Sequence, residues 1–262
     1  MNPAALLRVD RLCAGYGGNN VLWDISFELN SGETLCIVGE SGSGKSTLLR
    51  ALLGRDPSVK ISAGEIYLDG EELTGLPKKK RGAICAENFG MIFQNPGASF
   101  NPIRSYKKQF VEVLKSHGRF NAGSFMSDVS QVFTRLELGD AGAILPGYPY
   151  EMSGGMNQRI SIALVLLTGQ RILLADEPTS ALDATIQFQV AQELNKLRDE
   201  KGVAQIIVTH NLALAQFLAD RIAVIHKGRI VEHGTAEQII RSPGHDYTRA
   251  LLAAVPHLGG SL

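Results

Sequence analysis

Two hydrophobic periods alternate along the chain. Val21, Trp23, Ile25, Phe27 and Leu29 interleave with Leu22, Asp24, Ser26, Glu28 and Asn30, and this strict period of two predicts a half-buried antiparallel strand closed by Asn30-Ser31-Gly32. A partner strand is predicted over 6–12, and a third over 65–69 with Ile66 and Leu68 on one face; together they make a small β-layer. Thr34-Leu35-Cys36-Ile37-Val38 is an unbroken apolar run, read as a short buried strand. Leucines at 48, 49, 52 and 53 then change the period to a helical stripe, which Gly54 can end.

A further apolar strand, 89–93, runs into Gln94-Asn95-Pro96. From about residue 95 to 167 helical patterns, such as Phe110, Val113 and Leu114, then Val129, Val132, Phe133 and Leu136, are separated by glycines and polar residues. This predicts a helical insert in an α/β core. Pro146, Gly147 and Pro149 break it, and Met152-Ser153-Gly154-Gly155-Met156-Asn157-Gln158-Arg159 opens a new helix with Ser153 as N-cap. The glycines there leave backbone N–H groups free at a positive helix end, a second potential anion site. Ile172-Leu173-Leu174-Ala175 leads into Asp176-Glu177, which suits a central parallel strand delivering acids at its C-terminal end. After Ser180-Ala181-Leu182-Asp183 a helix carries Leu182, Ile186, Val190, Leu194 and Leu197 on one face. Residues 205–209 form the next strand and present His210. Residues 222–225 and 230–231 flank a Lys227-Gly228 hairpin, and Thr235-Ala236-Glu237-Gln238 has the form of a capping box.

Composition narrows the classes. At 262 residues the chain suits one large domain, or one with a subdomain, and its 26 basic and 26 acidic residues argue against bulk nucleic-acid or anionic-membrane binding. The run Lys78-Lys79-Lys80-Arg81 is read as a solvated loop. Cysteines 13, 36 and 85 have no CxxC or zinc spacing, which fits a reducing cytoplasm, and no stretch reads as a signal peptide or membrane span. The histidines, at 117, 210, 226, 233, 245 and 257, show no metal-ligand spacing, so no metal cargo is expected to bind on this chain.

The chemistry centres on Gly39-Glu40-Ser41-Gly42-Ser43-Gly44-Lys45-Ser46-Thr47. Strand, glycine loop and helix are the context of a phosphate-binding loop. Its glycines let the backbone wrap closely with N–H groups pointing inward beside a helix N-terminus. Lys45 can reach the β- and γ-phosphates, and the Ser46 hydroxyl can ligate Mg²⁺. Asp176 can support the metal, and Glu177 can deprotonate a water, unless the pair merely caps the next helix. Gln94 could bridge Mg²⁺ and water or simply end a strand; His210 could hold the γ-phosphate end or be structural; Tyr16, expected in the loop between the first two strands, says little by itself.

The order Tyr16, loop 39–46, Gln94, Ser153-Gly154-Gly155, Asp176-Glu177, Asp183, His210 closely resembles the ATPase subunits of ABC transporters, over about residues 5–255. The resemblance implies an α/β P-loop NTPase (RecA-like) core with an antiparallel β-subdomain and an inserted helical subdomain over 95–167, all within a single domain 1–262. It implies ATP and Mg²⁺ as cofactors, with Tyr16 stacking on adenine, Lys45 and Ser46 holding phosphates and metal, and Gln94 sensing the metal and attacking water. Asp176 would support Mg²⁺, Glu177 would be the base, and His210 would contact the γ-phosphate. Ser153 and Gly155 would bind the γ-phosphate held by a second subunit, with Asp183 at that interface.

Met152 and Met156 depart from the commonest signature, Leu-Ser-Gly-Gly-Gln, without touching the serine or glycines. Together with Gln94-Asn95-Pro96, Ser99-Phe100-Asn101-Pro102 and the tail Ser242-Pro243-Gly244-His245-Asp246-Tyr247-Thr248-Arg249-Ala250-Leu251-Leu252, Met156 resembles the oligopeptide, dipeptide and nickel importer branch. A chain ending at Leu262, without the cysteine-bearing extension of many peptide members, leans toward nickel or a nickel chelate, with di- or oligopeptides as the alternative. The implied partners are a second, non-identical ATPase subunit packed head to tail, two permease subunits and an external binding protein, with the chain on the cytoplasmic face of the membrane. A permease groove is expected near Phe100, Asn101 and Phe110. Soluble ABC ATPases acting on ribosomes or DNA fit less well, given one cassette, neutral charge and a short insert. The serine-glycine-glycine helix and Glu177 argue against a P-loop kinase or GTPase.

Overall fold

The computed structural model describes residues 5–95, 99–180 and 182–254; Pro96, Ala181 and His257 lie outside the described residues. Strands β1 (Leu7–Tyr16), β2 (Asn19–Leu29) and β3 (Thr34–Val38) precede α1 (Lys45–Leu53). Then come β4 (Val59–Leu68), β5 (Glu71–Glu72), α2 (Lys78–Asn88) and β6 (Phe89–Ile92). Helices α3 (Tyr106–Ser116), α4 (Phe125–Arg135) and α5 (Ala141–Ile144), a 3-10 turn at Pro149–Glu151 and α6 (Gly154–Thr168) follow. The chain returns through β7 (Ile172–Asp176), α7 (Ala184–Lys201), β8 (Ala204–Thr209), α8 (Leu212–Leu218), β9 (Arg221–His226) and β10 (Arg229–Thr235) to α9 (Ala236–Arg241) and α10 (Asp246–Ala253).

The strands form an antiparallel sheet, β2-β1-β4-β5, and a six-stranded sheet, β10-β9-β3-β8-β7-β6, parallel except for the β9–β10 hairpin. Strands β3, β7 and β8 are buried along their whole length and mostly apolar because both of their faces are covered. Alternate residues divide between two cores. Leu35, Ile37, Ile172 and Leu174 pack with the antiparallel sheet and α1, while Cys36, Val38, Leu173 and Ala175 pack with the helices. The helical residues Phe110, Val129 and Phe133 share that second core, so the insert is continuous with the α/β body.

Three expectations are corrected. In β2 the buried row is Leu22, Ile25, Phe27 and Leu29, and Trp23 is 42% exposed. Asp24, at φ 56°, lies where the pairing shifts from Leu12↔Ile25 to Ala14↔Leu22; the extra residue of a bulge turns the strand over, so the alternation does not run through to Val21 and Trp23. Tyr16 is the last residue of β1, paired with Asn19 and Val59, and lies outside the turn. Lys78-Lys79-Lys80-Arg81 is the first turn of α2, not a loop. The three lysines are exposed, but Arg81 donates to Ala51 O at 2.7 Å and Cys85 is buried, so tertiary contacts hold a helix that local composition does not announce.

Register then sets the site. Val38 pairs with Thr209, and Asp176 with Val208, so β3, β8 and β7 all end at one edge of the sheet. The glycine loop, His210 and Glu177 follow immediately from those strand ends.

Candidate functional site

The loop joins β3 to α1 along a narrow course. Gly44 is the N-cap of α1 in the left-handed region, φ 106°, and a Cβ there would come within 2.8 Å of Leu22 Cδ2. A Cβ on Gly39 would meet Ile225 O at 2.2 Å. No side chain caps α1, which leaves its first N–H groups available to an anion. Lys45 is 6% exposed, and its Nζ donates to Gly39 O and Glu40 O, both at 2.8 Å. An ammonium has three protons, so one remains for an anion lying over the loop. Burial lowers the Lys45 pKa, an effect countered in part by Glu177, Asp176 and Glu40.

Asp176 is buried, and its Oδ1 has no hydrogen-bond partner. Burial raises its pKa above the ordinary carboxylate value, while hydrogen bonding from Ser46 works the other way. An unpartnered buried carboxylate oxygen beside a hydroxyl, with the Gln94 amide nearby, is an all-oxygen donor set suited to a hard dication such as Mg²⁺.

Glu177 follows on the strand end with φ 46°, a backbone conformation that costs a non-glycine residue on the order of 1–3 kcal/mol and that tends to accompany function. Its N–H donates to Val208 O at 2.9 Å, which extends the β7–β8 pairing by one bond and anchors the strained residue. Gln94 Nε2 donates to Oε2 at 3.1 Å, and His210 Nδ1 lies 3.0 Å from Oε1. Glu177 is thus aimed by the Gln94 amide, with the His210 ring close beside it, and its oxygens keep lone pairs that could take a proton from water.

Several of these groups open onto a cavity of about 170 Å³ lined by Ser41, Gly42, Gly44, Lys45, Ser46, Thr47, Gln94, Glu177 and Val21, whereas Gly39, Glu40, Ser43, Asp176 and His210 lie outside its lining. Val21 was not anticipated; only the β2 bulge and the close approach of this strand to Gly44 bring it there. The cavity is smaller than the roughly 300–1,000 Å³ of pockets that enclose a small molecule. Ser153, Gly154, Gly155, Asp183 and Tyr16 do not line it. The Tyr16 hydroxyl is 3.4 Å from Thr47 Oγ1, which places the ring beside α1. Ser153 caps α6 by accepting from Met156 N at 3.3 Å, so its own O–H remains free to donate. Asp183 caps α7, accepting from Thr185 N and Ile186 N at 3.1 Å.

Gln158 lies one turn into α6. It is buried, and its Nε2 donates to Phe93 O at 3.3 Å and Pro178 O at 3.0 Å. It therefore ties the Ser153 helix to the residues flanking Gln94 and Glu177. Asn157 accepts from Tyr106 Oη at 2.6 Å and donates to Pro149 O at 2.9 Å, which locks the approach to the same helix. Phe100 and Phe110 are buried at 6% and 0% exposure, so they belong to the core; Asn101, Pro102 and Ile103 are the exposed residues of that loop. A larger cleft of about 620 Å³ between α4, α6 and α7 holds Arg119, Arg135, Glu193 and Lys196 but none of the loop residues or strand-end acids.

Comparison with known proteins points one way. A family model described as ABC transporter matches residues 22–180. The oligopeptide transport ATP-binding protein OppD of Haemophilus influenzae is 40% identical over 238 residues, 91% of this chain and 74% of that protein. The dipeptide transport ATP-binding protein DppD of Bacillus subtilis is 38% identical over 93% of this chain and 73% of that one. A peptidoglycan transport ATP-binding protein, YejF of Agrobacterium fabrum, is 37% identical over 97% of this chain, which spans 48% of it. Among solved structures, the dimeric ATP-binding cassette MJ0796, in a post-hydrolysis state bound to ADP and phosphate, superposes with a TM-score of 0.78 at 26% identity, covering 88% of this chain and 98% of that one.

Proposed function

Because the chain belongs to the ABC transporter family as an ATP-hydrolysing subunit of the oligopeptide and dipeptide importer branch, we propose that it energises the import of di- or oligopeptides. The observation that carries this reading is the convergence of Lys45, Ser46, Gln94 and Glu177 on one cavity, in a chain 38–40% identical to peptide-transport ATPases over nine-tenths of its length. Peptides thereby displace nickel from the first place that the sequence reading assigned to it, because the relatives named above are peptide or peptidoglycan proteins.

In this reading ATP lies with its phosphates over the loop 39–47, held by the free backbone N–H groups and the remaining Lys45 proton. Ser46, Asp176 and Gln94 would hold Mg²⁺, which supplies charge neutralisation at the phosphates. Glu177, aimed by Gln94, takes the proton of the attacking water, and His210, beside Glu177, would contact the γ-phosphate. Tyr16 receives the adenine beside α1.

The cavity offers one wall, and Ser153-Gly154-Gly155 lies away from it, so the other wall is the corresponding helix end of a second ATPase subunit packed head to tail, with Asp183 near the seam. That partner is a non-identical cassette. Two permease subunits and an external binding protein complete the importer, and the chain sits on the cytoplasmic face through the permeases. Among the described residues no helix is long and apolar enough to cross a membrane. The test is uptake in a strain deleted for this chain. Loss of labelled di- or oligopeptide accumulation, with nickel uptake intact, is expected. Loss of nickel uptake with peptide uptake intact would overturn the substrate assignment.

A further inference from the structure

The tail segment 242–252, part of the resemblance to the importer branch, contributes no residue to the lining of the proposed ATP site. Its hydrogen bonds are dense for a short segment near the end of a chain. Glu232 on β10 accepts from Gly244 N at 2.6 Å and His245 N at 3.1 Å. Arg249 donates to Pro243 O at 2.8 Å and Gly244 O at 2.9 Å, folding the Ser-Pro-Gly-His turn against its own helix. His245 Nδ1 caps α10 by accepting from Tyr247 N at 3.1 Å.

All of this fixes one side chain. The Tyr247 ring packs against the His226 ring, centroids 3.9 Å apart, at the end of β9. Its hydroxyl accepts from the backbone N–H of Glu40, the second residue of the phosphate loop, at 3.0 Å. The same residue is held from one further direction, where Lys45 Nζ donates to Glu40 O at 2.8 Å. Sequence separation makes the contact informative. It spans 207 residues, so it exists only because α10 is brought back across the β9–β10 hairpin onto the loop.

We propose that the segment 242–252 positions the phosphate loop for ATP, acting through the Tyr247 hydroxyl on the Glu40 backbone. Tyr247 is a positioning residue and does not line the cavity. A loop whose glycines give it wide conformational freedom binds phosphate only after that freedom is lost, so a contact that removes part of it beforehand strengthens binding. Whatever holds or releases α10 is thereby coupled to nucleotide affinity.

The inference rests on the ATPase reading, and the test separates the two. Tyr247→Phe in the full chain keeps the ring against His226 and removes only the acceptor for Glu40 N–H, whose surroundings are open enough for water to replace it. A neutral hydrogen bond corresponds to about three- to tenfold in a binding constant. Fluorescent-ATP titration of the variant should show affinity weakened by about that factor. In the assembled complex the KM for ATP should rise in step while kcat at saturating ATP stays within about twofold. The nucleotide-free thermal midpoint should move by no more than about 2 °C, a change of less than about 1 kcal/mol for a domain of this size. Arg249→Ala, which loosens the turn without touching the ring, should shift affinity the same way. Wild-type affinity in Tyr247→Phe would overturn the inference and leave the ATPase reading standing. So would a fall in kcat with KM unmoved, or an affinity loss matched by a comparable loss of nucleotide-free stability. A wild-type chain that binds no ATP would remove the ATPase reading itself, and this inference with it.

Discussion

Glu177→Gln isolates proton acceptance from everything else the residue does. Glutamine has the same shape, so its side-chain carbonyl can accept from Gln94 Nε2 as Oε2 does at 3.1 Å. The Gln94 contact persists as a neutral bond, and the amide sits where the carboxylate lay beside His210. A bond to a charged group contributes about 1.5–3 kcal/mol and a neutral one about 0.5–1.5 kcal/mol, so the fold loses on the order of 1–2 kcal/mol at most. Losing a general base costs about 10²–10⁴ in rate, or roughly 2.7–5.5 kcal/mol of barrier. Chemistry should therefore fail while the protein stays folded and loaded. The assay is single-turnover phosphate release at saturating Mg·ATP with the partner cassette present, alongside equilibrium ATP binding. Lys45→Ala is the contrasting control, expected to lose binding itself because Lys45 supplies the free ammonium proton over the loop. A Glu177→Gln protein that binds ATP and still turns over within about tenfold of wild type would refute Glu177 as the base.

Two further outcomes follow from the site. Burial raises the pKa of Asp176 above that of the unfolded chain, so its ionised form costs stability at every pH above the raised value, and the cost fades as pH falls through that value toward 3.8. Asp176→Asn should accordingly raise the thermal midpoint in EDTA at pH 7, with the gain shrinking on acidification, while the Mg²⁺ dependence of ATP binding weakens; a midpoint lowered at pH 7 would contradict the unpartnered oxygen as a metal position. If the site takes its second wall from a partner cassette, as proposed, ATPase activity per molecule should rise with protein concentration or on adding that cassette. High activity independent of concentration in a monomeric preparation would exclude a composite site.

Much of this protein was legible in one dimension because its decisive constraints are local. A loop that must wrap a phosphate needs glycines at set spacings before a helix, and a strand buried on both faces is apolar along most of its length. The loop 39–47, the run ending in Asp176-Glu177 and the cap at Ser153 could each be read without neighbours. The Lys227-Gly228 hairpin and the Thr235 capping box have the same standing, since turn chemistry and cap hydrogen bonds span only a few residues. What tertiary structure alone decided depends on register and on contacts between distant segments. The bulge at Asp24 turned the β2 face over and carried Val21 to the cavity, because pairing with β1 outranks strict alternation. Packing on α1 made a helix of the basic run at 78–81. The aim of Glu177 depends on β7 and β8 ending level, which brings His210 within 3.0 Å, and on Gln94 reaching across from the end of β6. Tyr247 meets Glu40 across 207 residues, a separation over which no sequence period carries information, because it is chain return and burial, not neighbouring residues, that close so long a loop.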